Sequence, residues 1–358
     1  MKVLFQIGHP AHVHFFKNII GELKRHGHEV KIITRKKDVA INLLESYGFE
    51  YIIFKHFSTS LKGKAFDLLL TDLFLYQVAK KYRPDVMIAL GSPGIAHVGW
   101  LLGIPSIYFN DTEDAHIANN LAKPFATVML TPQCFKEELG KKHVRFNGYK
   151  ELASLHPNYF IPDPSVLEDL GIKPGERYIV VRRISYDAHH DIGFKGIKKE
   201  DDFYRELEKY GRILVSSEKY SEHNKYGYKI APEKFHSLLA YASLYIGEGG
   251  TTTTEAALLG TPAIHIESDA QGKATGNTCG NFLELRDMYK LLYFFPDQET
   301  ALKKAKEILD DNNSKIDWKR KRDLLLSDKI DVTAWLTDFI EQLPEHVKKR
   351  QKIKPGTS

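Results

Sequence analysis

Short β-rich runs alternate with helix-patterned stretches along this chain, and they do so in two successive series. Each series leaves a parallel sheet with right-handed crossovers as its natural architecture. In the first, the runs at 3–7, 30–34, 51–54, 85–90, 105–109 and 127–130 read as strands. Phe15, Ile19, Ile20 and Leu23 recur at helical spacing until Gly27 stops the helix. Pro157, Pro162 and Pro164 then forbid a continuous helix and mark a boundary. The second series has strands at 178–181, 213–216, 244–247, 262–266 and 291–295. Its helices lie at 202–209, 232–240, 252–259 and 281–289, with helical sequence from 298 to about 342. A length of 358 residues suits two domains of roughly 150 each. The expected organisation is therefore α/β, with one doubly wound domain over 1–153 and a second over 154–330. A C-terminal helix and basic tail fill 331–358, the helix being able to pack back on the N-terminal domain. Such sheets bind ligands outside the carboxyl ends of their strands, so the two domains are expected to face across a cleft.

Composition narrows the classes of function. At 42% hydrophobic and 27% charged the chain is globular. Its longest apolar stretches, 68–70 and 86–90, fall far short of the roughly 20 residues of a membrane span. The apolar start at 1–7 has no small-residue cleavage site and meets Gly8-His9-Pro10 at once, so it reads as a strand of a cytoplasmic protein. Two distant cysteines, Cys134 and Cys279, offer neither a disulfide framework nor a metal pair. The net charge of +5 is too small for a nucleic-acid partner but suits anionic phosphates. Much of that excess lies in the tail at 348–354, which is either a solvated end or a peripheral contact with anionic headgroups at the inner face of a membrane.

One segment carries chemistry. An apolar strand, Tyr245-Ile246-Gly247, runs into Glu248-Gly249-Gly250, and Thr251-Thr252-Thr253-Thr254-Glu255 opens a helix. Glycines allow close backbone approach, and the free amides of a first helical turn carry partial positive charge, so Gly249, Gly250, Thr251 and Thr252 form an anion seat. Glu255, one turn in, can accept two hydrogen bonds from a ribose diol. The plainer alternative is a capping box, with Thr251 or Thr252 capping and Glu255 completing it.

This element, with Ala256-Ala257-Leu258-Leu259-Gly260-Thr261-Pro262-Ala263-Ile264 after it, resembles the nucleotide-binding element of GT-B glycosyltransferases. It is most similar to the lipid-linked N-acetylglucosaminyltransferase of peptidoglycan synthesis and to the non-hydrolysing UDP-N-acetylglucosamine 2-epimerases. Three further stretches resemble a narrower GT-B-like group, domain-of-unknown-function family 354, with similarity over nearly the whole chain. They are 8–17 (Gly-His-Pro-Ala-His-Val-His-Phe-Phe-Lys), 25–30 and Gly148-Tyr149-Lys150-Glu151-Leu152 with Leu155-His156-Pro157. The resemblance implies a GT-B fold of two Rossmann-like domains and a nucleotide-diphosphate sugar as substrate, a UDP-sugar being favoured. No separate cofactor and no metal are expected. It also implies that Arg182 and Arg183 lie near the phosphates, where a guanidinium fork fits the oxygens. A surface ion pair of these arginines with Asp187 or Asp191 is the alternative.

On the N-terminal side, the resemblance directs Gly8, His9 and His12 toward substrate. His12 is the expected general base on an acceptor hydroxyl, since its pKa lies near neutrality; capping or packing is the alternative. Metal binding by His9, His12 and His14 lacks a carboxylate partner. Gly91 and Ser92, ahead of Pro93-Gly94 and a helix, are placed to receive an anion or a sugar hydroxyl. Asn110, Asp111 and Glu113 offer acceptors, and Asp111 or Glu113 would supply the acid/base carboxylate that an epimerase needs. Helix capping by Asp111 or Asp114 is the bland alternative. Lys273 and Asn277, in the polar loop 271–278, are expected near sugar or phosphate, unless that loop has no specific role. The apolar helix around 65–76 reads as a buried core helix, with an acceptor-lipid or membrane-docking face as the other choice.

Three functions follow. The leading one is a glycosyltransferase acting on an unknown acceptor, with a lipid- or glycan-linked one among the options, in cell-surface or polysaccharide glycan synthesis. The others are a nucleotide-sugar 2-epimerase and a non-catalytic nucleotide-sugar-binding protein.

Overall fold

The computed structural model describes residues 1–36, 38–54, 61–184, 196–198, 200–217 and 225–352. Contacts divide the chain into two compact units, Met1–Ser154 together with Ile330–Ser358, and Leu155–Lys329.

The first unit holds a seven-stranded parallel sheet. Its strands are β1 (Lys2–Ile7), β2 (Glu29–Arg35), β3 (Ile52–Phe54), β4 (Val86–Leu90), β5 (Ser106–Phe109), β6 (Val128–Pro132) and β7 (His143–Phe146), in the order β3-β2-β1-β4-β5-β6-β7. The β7 strand escapes sequence patterning because an edge strand needs no continuous apolar run, and His-Val-Arg-Phe supplies only two such residues. The order reverses between β1 and β4, so right-handed crossovers lay their helices on opposite faces. On one face lie α1 (Pro10–Arg25) and α2 (Asp38–Ser46). On the other lie α3 (Leu61–Tyr82), α4 (Gly94–Leu102) and α5 (His116–Ala122). The short α6 (Leu152–Leu155) ends this part of the chain.

The second unit builds a five-stranded parallel sheet in the order β12-β11-β10-β8-β9. Its strands are β8 (Tyr178–Arg183), β9 (Arg212–Ser217), β10 (Leu244–Gly247), β11 (Ala263–Ile266) and β12 (Leu292–Phe295). The helices are α7 (Ser165–Asp169), α8 (Glu200–Glu208), α9 (Phe235–Tyr241), α10 (Gly250–Leu258), α11 (Gly280–Asp287), α12 (Gln298–Asp310) and α13 (Ser314–Asp328). The strands bury Tyr178, Ile179, Val180, Val181, Leu244 and Ile264 almost completely, as a sheet covered on both faces must.

From Ile330 the chain rejoins the first unit. The Ile330 amide donates to the Asn147 carbonyl at 3.0 Å, and Thr333 Oγ1 donates to the Ala153 carbonyl at 2.7 Å. Helix α14 (Val332–Lys352) then packs on α1, where Glu341 Oε1 lies 2.8 Å from His26 Nδ1 and 2.7 Å from His28 Nε2. The helical sequence from 298 is thus three helices, and the side chains of 346–352, with all of 353–354, lie outside the described residues, so the tail has no structural account. The stretch 65–76 is corrected too: α3 buries Leu75 and Ala79 but turns Phe66, Leu69 and Leu73 outward, so it is not a core helix.

Candidate functional site

The start of α10 is shaped by close approach. A Cβ on Gly247 would stand 2.5 Å from the Arg182 carbonyl oxygen, so only glycine lets β10 lie this near β8. Gly249 is the N-cap, in extended conformation, and no side chain caps the helix. The first turn begins at Gly250, two residues earlier than the spacing suggests. The threonines do not cap: Thr253 Oγ1 donates back to the Gly249 carbonyl at 2.9 Å and Thr254 Oγ1 to that of Gly250 at 3.3 Å. The capping-box alternative therefore fails, and the amides at Gly250, Thr251 and Thr252 keep their positive character.

Two arginines end β8 and part ways. The Arg182 side chain runs along Gly249, its Cδ and Nε each 3.4 Å from where a Cβ on that glycine would stand, and Nη1 donates to Ser216 Oγ at 3.0 Å. It sets a cation beside the helix start. Arg183 instead donates from Nε to Glu248 Oε2 at 3.0 Å and places Nη1 2.7 Å from Glu200 Oε1. Two carboxylates hold it, which corrects the expectation that it serves the phosphates. Glu248 is buried and also accepts the amides of Ile184 (2.9 Å) and Ile197 (2.8 Å). Burial pushes its carboxyl up, against the opposing pull of Arg183 and those amides. The ion-pair alternative with Asp187 or Asp191 lies outside the described residues.

Glu255 is buried, and its Oε1 lies 3.1 Å from Nε2 of the equally buried His236 on α9. Sequence reasoning missed His236, because no spacing rule links one helix to a carboxylate on the next. Lys273 is exposed, its amide on Asp269 Oδ1 at 2.8 Å, and Asn277 Nδ2 donates to the Ala274 carbonyl at 3.1 Å. The loop is braced from within, and Thr275 Oγ1 donates to Glu267 Oε2 at 2.5 Å.

In the first unit the histidines divide their work. His9 caps α1, its Nδ1 accepting the Ala11 amide at 3.2 Å ahead of Pro10. His12 Nδ1 accepts the Gly8 amide at 3.3 Å. A neutral ring that accepts at Nδ1 carries its proton on Nε2, so in this arrangement His12 presents a donor rather than the expected base. Gly91 takes φ +65° and donates its amide to the Phe109 carbonyl at 2.9 Å, while Ser92 Oγ donates to Gln6 Oε1 at 2.9 Å. A Cβ on Gly94 would meet Asp72 Oδ1 at 2.6 Å. A carboxylate thus already sits at the start of α4, which corrects its reading as an anion seat.

Asn110 is buried and builds its own loop. Its Nδ2 donates to the Thr112 carbonyl and to Asn119 Oδ1, both at 2.9 Å, and its Oδ1 accepts the Thr112 amide at 3.2 Å. Asp111 Oδ2 lies 2.6 Å from Lys150 Nζ, which is buried and also 3.5 Å from Glu151 Oε1. Glu113, buried, accepts the Lys136 amide at 3.3 Å. Neither Asp111 nor Asp114 caps α5, whose N-cap is Ala115 without a side-chain bond. The two carboxylates thus turn to different partners. Among the described residues no three His, Cys, Asp or Glu side chains group to hold a metal ion.

Two parallel Rossmann-like sheets of this kind, with a glycine-opened helix after a central strand of the second, define the GT-B class of fold. Within it, the chain belongs to the family described as protein of unknown function (DUF354), whose sequence profile matches residues 1–272. It is 30% identical over 284 residues to the uncharacterized protein MJ0665 of Methanocaldococcus jannaschii, spanning 74% of this chain and 81% of that one. Its fold is similar to UDP-GlcNAc 2-epimerase from Neisseria meningitidis bound to UDP-GlcNAc, at TM-score 0.65 and 12% identity, over 96% of this chain and 100% of that one. It is similar also to the spinosyn forosaminyltransferase SpnP, at TM-score 0.66 and 13% identity, over 96% and 99% of the two chains. Among the described residues no helix is long and apolar enough to cross a membrane.

Proposed function

We propose that this protein is a glycosyltransferase that moves a sugar from a nucleotide-diphosphate sugar, preferably a UDP-sugar, to a lipid- or glycan-linked acceptor. The observation that carries the reading is the start of α10: uncapped amides behind Gly249-Gly250, Arg182 laid along Gly249, and Glu255 fixed by His236 one turn into the helix. A diphosphate satisfies the amides and the arginine, and a ribose diol donates to Glu255. As the bond to the anomeric carbon breaks, the charge growing on the leaving diphosphate meets donors already oriented, which is the largest economy such a site can offer. The chemistry calls on no metal ion in this reading, so turnover persists with a chelator present. On the acceptor side, His12 takes the hydroxyl proton once its ring releases the Gly8 amide, a loss of about 1 kcal/mol for one weak bond.

Calorimetry with UDP, GDP and dTDP tests the first half. At least one is expected to bind, and Glu255→Ala to weaken it by about 10- to 100-fold; no binding to any of them ends the proposal. Incubation with UDP-N-acetylglucosamine and no acceptor separates the second reading, because only an epimerase changes the sugar, as proton NMR reads directly. The engagement of Asp111 by Lys150 and of Glu113 by the Lys136 amide favours transfer over epimerisation.

A further inference from the structure

The two helical layers of the first unit differ in what they show to water. Seven large apolar side chains of the α3–α4–α5 layer are 40–80% exposed: Phe66, Leu69 and Leu73 as a stripe on α3, Trp100 and Leu101 on α4, Ile117 and Leu121 on α5. Among the described residues of α1, α2 and α14 on the opposite face, Val39 alone is comparable. Scattered exposed leucines mean little, but a cluster on one layer marks a surface that something covers.

The three helices form one surface. His97 on α4 places Nδ1 2.8 Å from Asp72 Oδ2 on α3 and Nε2 3.1 Å from the Leu121 carbonyl on α5. The Phe125 ring packs against both His97 and Trp100, with centroids 5.1 and 5.4 Å apart.

Charge selects the occupant. The only carboxylates on these helices are Asp67, which is buried, and Asp72, which faces His97; α4 and α5 have none. Lys80 and Lys81 on α3 are exposed, as is Lys123 just past α5, and exposed Lys142 reaches the Pro124 carbonyl at 2.9 Å. The carboxylates beside them are Asp114, exposed just ahead of α5, and Glu137, whose Oε1 lies 3.1 Å from His116 Nδ1, against four exposed lysines, so a second copy placed on this surface would set an excess of lysine against lysine. An anionic bilayer answers both features, taking apolar and indole side chains at the acyl boundary and cations at the headgroups. We propose that the outward side of α3, α4 and α5 docks this protein on an anionic phospholipid surface. The proposal stands apart from the nucleotide site, since none of its residues belongs to the second unit.

Co-sedimentation of the full chain with vesicles tests it. Binding is expected to phosphatidylcholine vesicles containing about one-third phosphatidylglycerol, with little to phosphatidylcholine alone, and to weaken in high salt. Leu101→Glu with Ile117→Glu should cut the bound fraction at least about tenfold, because both side chains leave the acyl boundary. Lys80→Gln with Lys81→Gln should cut it by about fivefold per charge. All four positions are exposed, so unchanged circular dichroism is expected of the variants. Equal binding to both vesicle types would overturn the proposal. So would a Leu101→Glu, Ile117→Glu chain that still binds, which would assign the contact to the basic tail. A dimer that light scattering sees in the parent and not in this variant would assign the surface to a second copy instead.

Discussion

Glu255 can read a ribose only if its carboxylate is held still, and His236 is what holds it. Replacing that histidine with phenylalanine keeps the ring volume and removes the hydrogen bond. His236→Phe should weaken nucleotide-diphosphate binding by about 5- to 100-fold and erase any preference for UDP over dUDP, with the fold intact by circular dichroism. Titration calorimetry of both nucleotides gives the comparison, and an unchanged UDP-to-dUDP ratio would count against the assignment. Gly247 belongs to the same scale, for its missing Cβ makes room for the Arg182 carbonyl. Gly247→Ala has to push β8 from β10, and about 1–3 kcal/mol of destabilisation in urea denaturation is the expected result. His12 gives the third test. His12→Ala should lower turnover by about 10²- to 10⁴-fold while nucleotide affinity stays as it was. If His12→Gln restores the rate, the residue donates a hydrogen bond rather than taking a proton.

Between elements, His97 works as a pin through three helices, and its charge matters. The hydrogen bond to Asp72 raises its pKa from the ordinary 6.5, burial pulling the other way. A histidine raised in the folded state stabilises fully below 6.5, and that contribution is lost as pH climbs through the folded value. Unfolding midpoints in urea should therefore fall as pH rises above the ordinary 6.5, and Asp72→Asn should flatten that slope. The threonine run of α10 is another property of an element. Its hydroxyls bond back along the helix, so the run makes no cap and leaves the first turn to a ligand.

For the molecule as a whole, the return of the chain from the second unit to the first is what closes the first unit's core. Val332, Leu336, Ile340 and Leu343 of α14 are buried there. Each contributes about 1.5–3 kcal/mol on burial, and four together rival the 5–15 kcal/mol that typically holds a domain folded. A chain ending at residue 329 should therefore lose the cooperative unfolding of the first unit, and scanning calorimetry should show it missing. The second unit should still bind UDP as the full chain does.

Local pattern was enough to read six of the seven strands of the first sheet, all five of the second, and the glycine–threonine helix start to within two residues, because each is written in contiguous residues and in the periods of strand and helix. Which polar groups meet is another matter. That Arg182 and not Arg183 lies by Gly249, that His236 grips Glu255, that Asp111 belongs to Lys150, and that α3 shows leucines to water were all settled by packing. The physical reason is range: backbone periodicity acts over a few neighbours, whereas a hydrogen bond or an ion pair joins side chains that only the finished fold brings within three ångströms.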